Sequence, residues 1–349
     1  MDISKKKFGE LDGKPIYSYT LKMANGFEVT SINYGCIITD LKVPDAKGQL
    51  ENVVLEFDRL EDYQEYSPYF GAVIGRVAGR INKASFSLEG KTYNLPVNDG
   101  NNHLHGGNTG LDRVVWEATL LEEKDFIGVE YSYLSPDGEE GYPGNVRLKV
   151  RYTIDNQCKL TISYEGTSDQ ATLLNLTNHT YFNLSGNGKR DILQHVLTLK
   201  SDQFLELNDE LIPTGEFLPV QNTAFDFQQG RTIEEGILST HPQNILAGHG
   251  YDHPFILTSN YNREILLEDP ESGRSLTMET DEPCVVLYTG NQLAGDFKIR
   301  DLTAKKYLAL CLETQKHPDA IHHSHFPSIV LNKNEVYRSH TSYTFSVSK

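Results

Sequence analysis

Val146, Leu148, Val150, Tyr152 and Ile154 alternate with Arg147, Lys149, Arg151 and Thr153, and after Asp155 and Asn156 the alternation resumes through Leu160, Ile162 and Tyr164. A period of two sends successive side chains to opposite faces of an extended chain, so the apolar set faces a core and the basic set faces water. The stretch predicts an antiparallel hairpin with one wet face. It cannot be an amphipathic helix, whose apolar stripe recurs at three and four residues.

The same signal predicts strands over residues 27–34, 36–43, 53–57, 84–88, 114–121 and 126–134, and then over 171–176, 196–199, 255–258, 264–267, 275–278, 284–288 and 337–347. Only short stretches, 232–238 and 319–323, read as helix. Many antiparallel strands with turn-rich joints imply an all-β fold, a large antiparallel β-sandwich with few short helices. With no Pro/Ser-rich linker, low-complexity tract or fixed-period repeat, residues 1–349 are expected to form one domain. The long loops at 98–111 and 221–252 are placed to wall a sheet surface, where loops of that length are usually functional.

A formal charge of -16, from 48 acidic against 32 basic residues, argues against a nucleic-acid or anionic-membrane partner. Residues 1–10 carry charge but no apolar core, so neither a signal peptide nor a membrane span is expected there. Cys36, Cys158, Cys284 and Cys311 are widely spaced, contain no CxxC pair and sit in apolar or alternating runs. Buried free thiols in a reducing compartment follow, and a cytoplasmic location. Monomer and homodimer are both compatible with the sequence.

Polar chemistry collects in five places. Residues 306–312 read as a buried strand with small Ala309 and Cys311, and this strand carries Glu313 at its mouth, ahead of Thr314, Gln315, Lys316, His317 and Pro318. Residues 75–82 bear Arg76 and Arg80, read either as surface arginines of a tight turn or as one guanidinium in a pocket. Residues 99–107 hold His103 and His105 before two glycines; the pair suits a metal, or a turn in which one imidazole donates to a hydroxyl. His179 lies among amides, hydroxyls and aromatics at 175–184, as part of a satisfied polar network or as a general acid. Asp252, between a glycine-rich run and Pro254, suits a turn, a histidine-orienting group or a hydroxyl acceptor. His322, His323 and His325 read as exposed loop. An acyl-enzyme is disfavoured, since no GxSxG elbow is present.

With these residues in place, the sequence resembles the aldose 1-epimerase (mutarotase) family over nearly its whole length. The resemblance rests on GRVAGRI (75–81), LHGG (104–107), DGEEGYPGN (137–145), NLTNHTYFNL (175–184), GHGYDHPF (248–255), YTGN (288–291) and LETQKHPDA (312–320), in that order. It implies a sandwich with a sugar groove on one sheet and interconversion of the α and β anomers of free aldohexoses, without cofactor or metal. It further implies Glu313 as general base and His179 as general acid, with Arg80, His105 and Asp252 binding sugar oxygens. Two departures bear on sugar preference: Gly79, where many relatives have Asn, and Val286, where some have Gln. His103 has no role in the pattern.

The chemistry requires such groups. Opening a hemiacetal removes a proton from O1 while one arrives at O5, so a carboxylate and an imidazolium must oppose each other. With reference pKa values near 4.3 and 6.5, mutual attraction is expected to hold Glu313 ionised and His179 protonated near neutrality. The rivals are a glycosidase using Glu313 with Asp252, a non-catalytic sugar-binding module and a metal-using isomerase.

Overall fold

The computed structural model describes residues 1–257, 265–295 and 297–347. Val146–Asp155 and Lys159–Ser168 pair antiparallel, Val150 opposite Tyr164 and Tyr152 opposite Ile162, and burial alternates along both. This hairpin belongs to a nine-stranded sheet in the spatial order Glu117–Glu122, Phe126–Ser135, Val146–Asp155, Lys159–Ser168, Val336–Val347, Arg274–Thr280, Ile265–Glu268, Val196–Leu199 and Arg231–Thr232. A separate five-stranded meander is built from residues 2–52.

The second layer is a six-stranded sheet of β1 (Tyr181–Phe182), β2 (Gln203–Leu207), β3 (Pro213–Pro219), β4 (Asp252–Ile256), β5 (Cys284–Tyr288) and β6 (Leu310–Gln315), ordered β1-β6-β5-β4-β2-β3 in space. Leu310 and Leu312 of β6, with Val285 and Leu287 of β5, join Val150, Ile162, Leu276 and Tyr343 of the large sheet in one buried cluster. Burying each such side chain contributes about 1.5–3 kcal/mol, and Leu312→Ala would cost about 2–5 kcal/mol through the cavity it leaves. Thr314 extends this inward face: its Oγ1 lies 2.6 Å from Thr341 Oγ1, which in turn lies 2.9 Å from Thr280 Oγ1. The pleat then commits Cys311, Glu313 and Gln315 to the opposite face of β6.

Several elements differ from the sequence expectation. The strand expected over 306–312 starts at Leu310 and continues through Gln315, so Glu313 stands inside a strand and not at its mouth. Tyr307, at φ 61°, keeps the chain out of extended conformation before Leu310. The strand runs on past the apolar residues because Thr314 finds a partner in Thr341. Residues 53–57 form no strand; Val54 makes one bridge to Phe182, and Asn52 Nδ2 donates to Val54 O. Of 171–176, only Thr172–Leu173 is strand. The two helical stretches shrink to Ile233–Ile237 and a 3-10 turn at Ala320–His322, while the short helices Leu60–Glu65 and Pro242–Leu246 were not anticipated. Thr258 and Glu264, ends of two expected strands, lie outside the described residues.

Cys36, Cys284 and Cys311 are buried free thiols, and Cys158 is half-buried beside Asn25. Among the described residues, no helix is long and apolar enough to cross a membrane.

Candidate active site

Register builds the floor of a groove. Glu313 on β6 lies opposite Val286 on β5, which lies opposite Pro254 on β4; one step along, Cys311 faces Tyr288 and Tyr288 faces Asp252. On the other side of β6, Tyr181 of β1 pairs with Cys311. His179 comes two residues before Tyr181, and its backbone is clamped: its N–H donates to Ala72 O and its carbonyl accepts from Gly71 N. The imidazole stacks on Tyr181 at 5.1 Å, with Nδ1 3.4 Å from Cys311 Sγ and Nε2 3.5 Å from Glu313 Oε1.

His105 arrives from the opposite wall. Its backbone is left-handed, at φ 53°, and is followed by Gly106, where a Cβ would sit 1.8 Å from Gly75 O. Only glycine fits that approach. Gly79 N donates to His105 Nδ1 at 3.2 Å, and the ring lies 4.8 Å from Tyr69 and 5.3 Å from His179. Gly79 itself has φ 76°, and a Cβ there would press on Pro318 at 2.9 Å. Arg80 follows, its Nε donating to Asp99 Oδ2 at 2.7 Å and its Nη1 3.9 Å from Asp252 Oδ2. The resulting cavity, about 270 Å³, takes in Arg80, His105, His179, Asp252 and Glu313, with an apolar wall that includes Leu207 and Phe297.

Burial dominates the electrostatics. Desolvation pushes the Glu313 carboxyl well up, Asp252 raises it further and Arg80 opposes both. Desolvation also pulls His179 down to about 4. Burial thus drives both groups toward their neutral forms, against the mutual attraction that favours the ionised pair. Burial raises Asp252, partly offset by Arg80, and holds His105 well below the ordinary histidine range. The Cys311 thiol is pushed well up, making it a neutral neighbour of His179.

His105, His179 and Glu313 each bring one donor atom within 4.8 Å of the others, a set with the composition of a cation site. The Gly79 N–H argues against that use. Because it occupies the Nδ1 lone pair, the neutral His105 ring carries its proton on Nε2 and presents a hydrogen-bond donor.

All five residues singled out in the sequence thus converge on one groove. Arg76 does not: it is 2% exposed, and its guanidinium donates to Ser135 Oγ, Ser135 O, Pro136 O and Pro143 O, a structural role in place of the surface one considered. His103 is also fully buried, between Pro96 O and Tyr142 Oη. Tyr69, Tyr181, Tyr288 and Gln315 line the groove and were not singled out. A period-two reading outward from His179 and Glu313 would have reached Tyr181 and Gln315.

An antiparallel sandwich with an opposed carboxylate and imidazole in a walled groove is the class of protein defined by fold and site. The profile of the family described as Aldose 1-epimerase matches residues 17–344. Galactose mutarotase of Homo sapiens is 41% identical over 350 residues, covering 99% of each chain. Maltose epimerase of Levilactobacillus brevis is 32% identical over 349 residues, again covering 99% of each. The crystal structure of galactose 1-epimerase from Lactobacillus acidophilus superposes with a TM-score of 0.89 at 30% identity, covering 100% of this chain and 99% of the other. The chain belongs to the aldose 1-epimerase family.

Proposed function

We propose that the protein is a mutarotase, an isomerase that interconverts the α and β anomers of free aldohexoses such as D-galactose and D-glucose, with Glu313 and His179 as its proton-transfer pair. The observation that carries this is the 3.5 Å approach of His179 Nε2 to Glu313 Oε1 in a groove of about 270 Å³. Full-length identity of about 41% to galactose mutarotases supports the activity.

In this reading the bound hemiacetal places O1 at Glu313 and O5 at His179. Glu313 takes the O1 proton, C1 and O1 become a carbonyl, the C1–O5 bond breaks and His179 delivers a proton to O5. The pair is then a neutral carboxyl and a neutral imidazole, the protonation that burial already favours, so the site matches the open aldehyde. Rotation about C1–C2 presents the other carbonyl face. Closure reverses each transfer, and no proton is gained or lost overall. Arg80, Asp252 and the Nε2–H of His105 hold other sugar oxygens while C1 turns.

We further read residues 1–349 as one folding unit, because the main core cluster draws on residues from Tyr19 to Phe345. The free thiols fit a cytoplasmic location. Polarimetry from pure α-D-galactose tests the function: approach to equilibrium faster than in buffer alone is expected, and sugar binding without acceleration would leave only a binding module.

A further inference from the structure

Gln315 is the last residue of β6 and is 1% exposed, yet it lines the groove. Its Oε1 is buried and has no hydrogen-bond partner among the described residues. Native chains seldom leave a buried amide oxygen unpaired, since it forfeits water without replacement. An orphan acceptor on a residue that lines a ligand groove points to a donor that arrives with the ligand.

We propose that Gln315 is a specificity-determining residue that accepts a hydrogen bond from the 2-hydroxyl of the sugar; the proposal rests on the mutarotase reading above. The argument is one of order along the strand. Cys311, Glu313 and Gln315 succeed one another on the groove face of β6, two residues apart. His179 approaches from the β1 side with Nδ1 at Cys311 and Nε2 at Glu313, so the imidazole stands on the Cys311 side of Glu313, and in this proposal the ring oxygen that takes its proton is set on that side. In a pyranose, C1 is bonded to two ring atoms, O5 and C2. With C1 over Glu313 and O5 toward Cys311, C2 falls on the far side of Glu313, where Gln315 stands. The ring oxygen has no proton to give, whereas the 2-hydroxyl can donate to Oε1. Val286, opposite Glu313, offers neither donor nor acceptor to compete for it.

Gln315→Met keeps length and approximate volume and removes the amide. The test compares kcat/KM for D-galactose and 2-deoxy-D-galactose in the parent and in this variant, with the sugar-free thermal midpoint measured for both. The proposal expects about a tenfold loss on galactose, the factor that one neutral hydrogen bond supplies, little change on the 2-deoxy sugar, and a midpoint that is unchanged or higher because an unpaired buried group has gone. Equal losses on both sugars, or a ratio that shifts for 4-deoxy-D-galactose instead, would overturn it. A parent that does not accelerate galactose mutarotation overturns the mutarotase reading itself, whereas an active parent with an unchanged 2-deoxy ratio overturns only the assignment of Gln315.

Discussion

His179 Nε2 lies 3.5 Å from Glu313 Oε1, and the two reach that approach from different strands, His179 from just before β1 and Glu313 from the middle of β6. Tyr181, paired with Cys311, holds the strands in the register that makes the approach possible. The imidazole is gripped on its other faces by Tyr181 and Cys311, so the gap between acid and base is set by packed structure and not by loop position.

Replacing either member should therefore abolish chemistry without disturbing the groove. Glu313→Gln is expected to lower kcat by roughly 10² to 10⁴-fold with KM largely kept, and His179→Asn to do the same. Mutarotation rates of the purified variants, with circular dichroism to establish folding, check this; a folded Glu313→Gln at full turnover would remove Glu313 from the mechanism.

The depressed pKa of His179 sets an unusual acid limb. Reaction requires one proton on the pair; as pH falls through about 4, His179 takes a second, and Glu313 can no longer accept from O1. The raised carboxyl pKa of Glu313 places the alkaline limb, where the pair loses its only proton. A profile of kcat/KM corrected for buffer catalysis should thus place its acid limb near 4, below the ordinary histidine value of 6.5, with a separate alkaline limb set by Glu313. A limb centred at 6.5 that disappears in His179→Asn would refute the assignment.

Arg80 is tied to Asp99 at 2.7 Å and reaches Asp252 at 3.9 Å, so it links the loop that carries Asp99 to β4. Arg80→Met removes a charge-assisted donor and leaves Asp252 without its guanidinium. KM for galactose is expected to rise about 10- to 100-fold, with a smaller change in kcat, if Arg80 holds the sugar before and during ring opening as proposed. Initial-rate polarimetry across sugar concentrations separates the two constants, and a loss confined to kcat would count against a binding role.

The large sheet was legible because its strands are wet on one face, and alternation such as Val146 to Ile154 records that directly. For the strand that carries Glu313 the sequence predicts a start four residues before the true one at Leu310, since Lys306 to Leu312 is apolar enough to resemble a strand while Glu313 and Gln315 resemble its end. Partners supplied by other parts of the chain, such as Thr341 for Thr314, let a polar sequence stay extended and buried. The same holds for Arg76, whose acceptors come from residues 135–143 and from Thr172 and are invisible from its own neighbourhood. Motif resemblance picked out five residues that share one groove; that burial drives Glu313 and His179 toward their neutral forms is something no motif records.

Glu56 does not line the groove, and it makes stability depend on pH. Its carboxyl is pushed up to about 8, chiefly by burial and also by Asp40, although Arg300 Nη1 lies 2.7 Å away and Asn52 Nδ2 donates to it at 2.6 Å. A folded pKa above the unfolded value means that the native state holds the proton more tightly. The associated stability is complete below the unfolded pKa near 4.3 and is lost as pH rises through about 8. Between pH 7 and pH 9 this one group should cost about 1 kcal/mol. Glu56→Gln keeps the shape and the hydrogen bond to Asn52 as acceptor but cannot ionise, so its urea midpoint should fall less than the parent's over that interval. Parallel unfolding curves at pH 7 and 9 decide it, and identical pH dependence in the two proteins would mean that Glu56 is already ionised in the native state at pH 7.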